Sequence, residues 1–199
     1  MISIDGIRGV GKTTQINMLA RHFRGMGVDI LVIKSGEDVD SGVEAIEKTN
    51  TFLEKENTMV IMDGSVARMM VVELVSGIAE TVVTDKYKSL INGYERLNHK
   101  YGIVGLLMVM DDLEECNKRI LKKSALSGLP EAAIDNPAVE VDIVSGMRFF
   151  NNHVASKSVK FHTFNIEASN SMLDIQKLIL SYLSENYKIK QPKKDPNDW

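Results

Sequence analysis

Gly6-Ile7-Arg8-Gly9-Val10-Gly11-Lys12-Thr13 decides the fold. The stretch fits GxxxxGK[ST], and it stands where that pattern has a mechanism, after a short apolar run and before a helical one. Glycines let successive backbone N–H groups converge on phosphate oxygens at a helix N-terminus. Lys12 is placed to reach the β- and γ-phosphates, and the Thr13 hydroxyl to ligate Mg²⁺. Thr14 adds a second hydroxyl on the α-phosphate side. The ligand implied is a nucleoside triphosphate held by Gly6, Ile7, Arg8, Gly9, Val10, Gly11, Lys12, Thr13 and Thr14.

Outward from the loop, Met1–Asp5 reads as a strand, and Ile16, Leu19, Ala20 and Phe23 recur at helical spacing until Gly25 and Gly27. Asp29–Lys34 is a continuous apolar run of the kind buried on both faces of a parallel sheet. Ser41 caps a helix through about Lys55. Asn57–Gly77 reads as a further helix, with the alternative that Met59–Met62 is a strand ending in Asp63. Glu80–Asp85 is β-branched and ends in an acid, which predicts a third parallel strand with Asp85 at its carboxyl end. Ser89–Lys100 is a helix, Ile103–Met110 a strand, Leu113–Lys123 a helix and Ser124–Ala138 a mobile Gly/Pro-containing loop. Val139–Ala155 is a helix, Lys160–Ile166 the last strand and Met172–Tyr187 the closing helix. Strands alternating with helices predict a doubly wound, mainly parallel five-stranded α/β sheet with helices on both faces. The reading is a single domain over residues 1–187, with residues 188–199 as a disordered tail.

Composition narrows the function classes. With 24 Lys+Arg against 27 Asp+Glu in 199 residues the net charge is −3, so no general basic surface exists to hold polymeric nucleic acid. The single cysteine, Cys116, cannot form an internal disulfide or a CxxC metal knuckle, which fits a reducing, cytoplasmic setting. The four histidines, His22, His99, His153 and His162, show no metal-ligand spacing. No apolar stretch approaches the roughly 20 residues of a membrane span. Met1-Ile2-Ser3-Ile4-Asp5-Gly6 leaves no room for a leader before the first strand, so none is expected. The guanine-selective Asn-Lys-x-Asp signature is absent, since Asn98 precedes His99 and Asn117 precedes Lys118-Arg119-Ile120. This sets GTPases aside.

Over nearly the whole chain through Tyr187, the sequence resembles the thymidylate kinase family of P-loop nucleoside-monophosphate kinases. Ile4-Asp5-Gly6 followed by Gly11-Lys12-Thr13-Thr14-Gln15 is similar to that family's opening. Thr81-Val-Val-Thr-Asp85-Lys86-Tyr87 resembles its strand ending in Asp-Arg-Tyr, and Tyr94-Glu95 falls near the family's base site. Leu106–Asp111 with Glu114, Glu115 and Arg119 resembles the strand and following helix, and Phe164–Ser169 the late strand and the loop beside the adenine. The resemblance implies a P-loop NTPase fold, ATP-dependent phosphorylation of a nucleoside monophosphate, dTMP before others, Mg²⁺, small nucleotides as partners and a homodimer. It also implies a lid near 122–138.

The same resemblance distributes the candidate residues. Lys12, Arg8 and Asp85 are the catalytic set; Thr13 and Asp85 are metal ligands, with Asp63 as the rival acid. Ala168 and Ser169 border the donor base. Asp5, Arg68, Lys86, Tyr94, Glu95 and Arg148 face the acceptor. Three positions depart from the family: Arg8 replaces an acid, Lys86 replaces an arginine and loses its bidentate fork, and residues 122–138 contain lysines but no arginine. Arg8 is expected to supply the cation that the lid lacks. Rival readings are a kinase of another or modified (deoxy)nucleotide, a degenerate ATP-binding module, and an ATPase switch.

Overall fold

The computed structural model describes residues 1–34, 38, 42–65, 68, 83–128, 137–149 and 161–186. Five strands, β1 (Ile2–Gly6), β2 (Asp29–Lys34), β3 (Thr58–Asp63), β4 (Val104–Val109) and β5 (Phe161–Asn165), form one sheet in the order β2-β3-β1-β4-β5. Every pairing is parallel. The helices are α1 (Lys12–Gly25), α2 (Gly42–Leu53), α3 (Val83–Tyr101), α4 (Leu113–Ser127), α5 (Pro137–Phe149) and α6 (Met172–Asn186). The doubly wound α/β class is as the sequence predicts.

Every residue of β1 and of β4 is buried, so both faces of the sheet centre are covered. That burial is why these strands read as continuous apolar runs rather than alternating ones. Ile2, Ile4, Leu106 and Met108 from the strands meet Ile16, Leu19 and Phe23 from α1 and Ile175, Ile179 and Leu183 from α6 in one core. No helix among the described residues is long and apolar enough to cross a membrane.

Two predicted elements are corrected. The segment read as a helix from Asn57 carries β3, whose Met59–Met62 run is fully buried. Thr58–Asp63 pairs residue by residue with Asp29–Lys34, and Ile61–Asp63 pairs with Ile2–Ile4. A short apolar run has no period of its own, and two parallel partners decide its state.

The strand predicted to end at Asp85 is the second correction, because Val83–Asp85 lie in the first turn of α3. Leu90, Tyr94 and Leu97 are buried at helical spacing, and that packing overrides the β-branched residues upstream. The predicted loop from Ser124 is also shortened. α4 continues to Ser127 and ends on Gly128 in the left-handed region. Residues 129–136 of the predicted lid, residues 80–82 and the tail at 188–199 lie outside the described residues.

Candidate functional site

β1 occupies the sheet centre, with β3 on one side and β4 on the other, so the chain leaving its carboxyl end enters the crevice where such sheets bind ligands. Gly6 leaves β1 at φ 146°, a backbone state that side chains rarely adopt, and a Cβ there would collide with the Met108 carbonyl on β4. Gly9, at φ 79°, lies so close to the first turn of α4 that a Cβ would meet the Cys116 carbonyl. Ile7 and Val10 are buried and anchor the loop to the core. Its polar side is thereby turned outward.

The helix that follows is built to receive an anion. Gly11 precedes α1 in the left-handed region, no side chain caps the helix, and its first turn contains no acid. Its N–H groups and the positive end of its dipole therefore face the loop without a carboxylate from the helix's own first turn. Lys12 Nζ donates to the carbonyls of Gly6 at 2.9 Å and Ile7 at 2.8 Å, folding the cation back over the loop.

The parallel register brings the carboxyl end of β3 beside the loop, and Thr13 Oγ1 lies 3.2 Å from Asp63 Oδ2. Asp63 is half-buried at the rim. A hydroxyl and a carboxylate on rigid elements make a hard, oxygen-only donor pair. Mg²⁺ takes one or two protein oxygens and completes its shell with phosphate and water, so the pair fits that ion. Among the described residues no group of three or more acidic, histidine or cysteine side chains gathers as a metal cage.

A neighbouring acid on β1 is handled differently. Asp5 is fully buried, and its Oδ1 accepts the Ser65 backbone N–H at 2.9 Å. Ser3 Oγ donates to its Oδ2 at 3.4 Å. Burial raises the Asp5 pKa above the usual carboxylate range, opposed by the Ser65 hydrogen bonds and the charges of Arg68 and Lys12. Arg68 donates its backbone N–H to Ser65 Oγ at 3.0 Å and its Nη1 to the Gly6 carbonyl at 3.0 Å. Tyr94 is buried beside Ser3 and Asp5.

Above the loop opens a cleft of about 1030 Å³. Arg8, Gly9, Gly11, Lys12, Thr13 and Thr14 form one wall, α4 the second, and Asn170, Ser171 and Met172 the third. Among the described lining residues, six side chains are cationic (Arg8, Lys12, Lys118, Arg119, Lys122 and Lys123) and Glu115 alone is acidic. In a protein of net charge −3 this is a local concentration of positive field suited to a polyphosphate group.

Arg119 ties two walls together. Its Nε lies 2.8 Å from Glu115 Oε1, and its Nη2 donates to the Ala168 carbonyl at 3.1 Å. Ala168 and Ser169 thus sit in an exposed turn bound to α4, next to the cleft wall. On the loop's helix, fully buried Gln15 donates to the Met172 carbonyl at 2.8 Å, joining α1 to α6 beneath the same wall.

The remaining candidates are dispersed. Glu95 is half-buried on α3, and Arg148 is exposed in the last turn of α5. Asp85 and Lys86 belong to the first turn of α3, and their side chains lie outside the described part. Asp85 therefore does not end a strand beside β1; the acid in that place is Asp63. Sequence reasoning ranked Asp63 second and passed over Asn17, Lys118 and Ser65. The signal for Asp63 was present as an acid closing a short apolar run. Cys116 is buried, and burial pushes its thiol up to about 11, which leaves no thiolate for chemistry.

No protein-family model matches the chain, and no curated protein matches it. Solved structures do. A polyphosphate kinase 2 from Arthrobacter aurescens TC1 is similar at a TM-score of 0.60 and 16% identity, over 98% of this chain and 70% of that one. A deoxyadenosine kinase from M. mycoides with bound dATP is similar at 0.54 and 15% identity, over 92% of this chain and 98% of that one. The same deoxyadenosine kinase with bound dCTP is similar at 0.50, with equal identity and coverage. At such identities the likeness is one of fold: the chain has the α/β fold of P-loop kinases.

Proposed function

We propose that this protein is an ATP-dependent phosphotransferase that phosphorylates a nucleoside monophosphate, with dTMP as the leading acceptor. The observation that carries the reading is that Lys12 and Thr13 line a cleft rich in cations, with Asp63 within 3.2 Å of the Thr13 hydroxyl. Phosphoryl transfer needs placement and charge stabilisation rather than a covalent intermediate. Lys12 turns from the Gly6 and Ile7 carbonyls to the β- and γ-phosphates, while loop and α1 N–H groups hold the remaining oxygens. Arg8, on the cleft wall, neutralises charge on the migrating group, the part that a lid arginine plays elsewhere. Thr13 and Asp63 are the residues that would hold Mg²⁺, and the ion would supply positive charge to offset that of the phosphates.

On this reading the acceptor side is formed by Arg68, beyond β3, and by Lys86 and Glu95 on α3, with Asp5 supporting from beneath. The resemblance of Asp5-Gly6 and Gly11-Lys12-Thr13-Thr14-Gln15 to thymidylate kinases supports dTMP. The likeness in fold to a deoxyadenosine kinase supports a second reading, a different deoxynucleotide or a deoxynucleoside as acceptor. A homodimer is the assembly that the resemblance favours.

The test is ADP release from Mg·ATP across a panel of nucleoside monophosphates and deoxynucleosides, with Lys12→Ala as the blank. Turnover stimulated by dTMP and lost in the variant is the expected result. Stimulation by another acceptor moves the reading to that substrate. ATP binding with no stimulation by any acceptor overturns it in favour of a binding module.

A further inference from the structure

We infer that Arg68 is a positioning residue for the phosphate-binding loop, a second cation on the Gly6 carbonyl that allows Lys12 to leave it when a triphosphate enters. Both cations meet at one atom. Lys12 Nζ stands 2.9 Å and Arg68 Nη1 3.0 Å from the same Gly6 oxygen. Gly6 is buried, so a carbonyl stripped of its donors there is costly. Lys12 cannot serve the phosphates while folded back on Gly6 and Ile7, so binding must break those bonds. The guanidinium remains behind on the oxygen that Lys12 vacates.

Its own placement is fixed on two sides. The Arg68 backbone N–H is held by Ser65 Oγ, and the Ser65 backbone N–H is held by Asp5 Oδ1. The Asp5 carboxylate and the guanidinium attract each other across this turn. The run Asp5, Ser65, Arg68, Gly6 therefore leads from the core beneath β1 to the first glycine of the loop. Arginine suits the task because it stays charged and offers several donors in a rigid fork.

The inference rests on triphosphate binding in the loop but not on the identity of the acceptor. It is tested by equilibrium titration of Mg·ATP without acceptor into wild type, Arg68→Met, Arg68→Lys and Lys12→Met, alone and with Arg68→Met. Thermal melts of each ligand-free protein are taken in parallel. Arg68→Met is expected to bind Mg·ATP roughly tenfold more weakly, the scale of one buried carbonyl left without a donor. Arg68→Lys recovers most of that loss. In the Lys12→Met background, where no cation has to leave Gly6, removing Arg68 changes affinity by less than about twofold.

Equal affinity of wild type and Arg68→Met overturns the inference while leaving triphosphate binding intact. Failure of wild type itself to bind Mg·ATP removes the inference together with the functional reading. If Arg68→Met does not fold, the same comparison is made between Arg68→Lys and Arg68→Gln. A loss in Gln that Lys does not show supports the role, and equal affinities refute it.

Discussion

Asp5 and Asp63 stand near the carboxyl ends of two adjacent parallel strands, β1 and β3, yet they occupy opposite environments. Asp5 is sealed beneath the loop, with Ser65 N–H and Ser3 Oγ on its oxygens and a pKa raised by burial. Asp63 stands half-buried at the rim with the Thr13 hydroxyl beside it. The difference comes from sheet register, which pairs Ile4 with Asp63 and leaves Asp5 one residue further along β1, under the turn at Ser65. One carboxylate stands at the rim beside the Thr13 hydroxyl; the other holds the backbone of the turn at Ser65. Residue type alone assigns neither role.

Substitution separates the two. Asp63→Ala is expected to lower kcat/KM by about 100-fold or more, as for loss of a group that positions charge at a transferring phosphoryl, and to raise the Mg²⁺ concentration needed for half activity. Its ligand-free denaturation midpoint stays near wild type. Asp5→Ala is expected to do the reverse, costing about 3 kcal/mol in chemical denaturation because Ser65 N–H and Arg68 lose a buried partner. Equal stability losses in the two variants would erase the distinction between them.

The pH dependence sharpens it further. The folded-state pKa of Asp5 lies above its ordinary value of 3.8, so the folded protein binds this proton more tightly than the unfolded chain does. The stability that follows is fully present below 3.8 and is lost as pH rises through the raised value. Relative to Asp5→Asn, wild type should therefore lose denaturation free energy as pH climbs out of the ordinary carboxylate range. A difference that grows in favour of wild type over that rise would mean that Asp5 is stabilised as an anion.

The phosphate side of this site was legible because its information is local. Two glycines, a lysine and a threonine at fixed spacing determine a loop, and the apolar run before and the periodic run after place it between strand and helix. Asp63 and Arg68 were harder because their roles are made by register and by a turn, not by spacing. Met59–Met62 has no period that separates strand from helix, and only pairing with β2 and β1 resolves it. Thr81–Asp85 misled for the opposite reason. Its β-branched residues suggest a strand, while Leu90, Tyr94 and Leu97 further on commit the segment containing Val83–Asp85 to α3. The link of Ala168 to α4 through Arg119 was not legible, because it depends on tertiary contact.

Tyr94 gives the smallest expected effect and probes the buried side most finely. Its ring is in the core, 3% exposed, and its hydroxyl is buried without a hydrogen-bond partner among the described residues. Burial and the Asp5 charge push its pKa upward, opposed by the nearby Ser3 hydroxyl, so the phenol stays neutral across the working range. A buried hydroxyl without a partner retains its desolvation cost. Tyr94→Phe removes that cost and keeps the ring, so denaturation should show a change within about 1 kcal/mol, in favour of phenylalanine. A clear loss of stability would instead show that the hydroxyl supports the Asp5 carboxylate. A rise in acceptor KM at unchanged stability would place Tyr94 at the substrate, joining the buried side of the comparison to the exposed one.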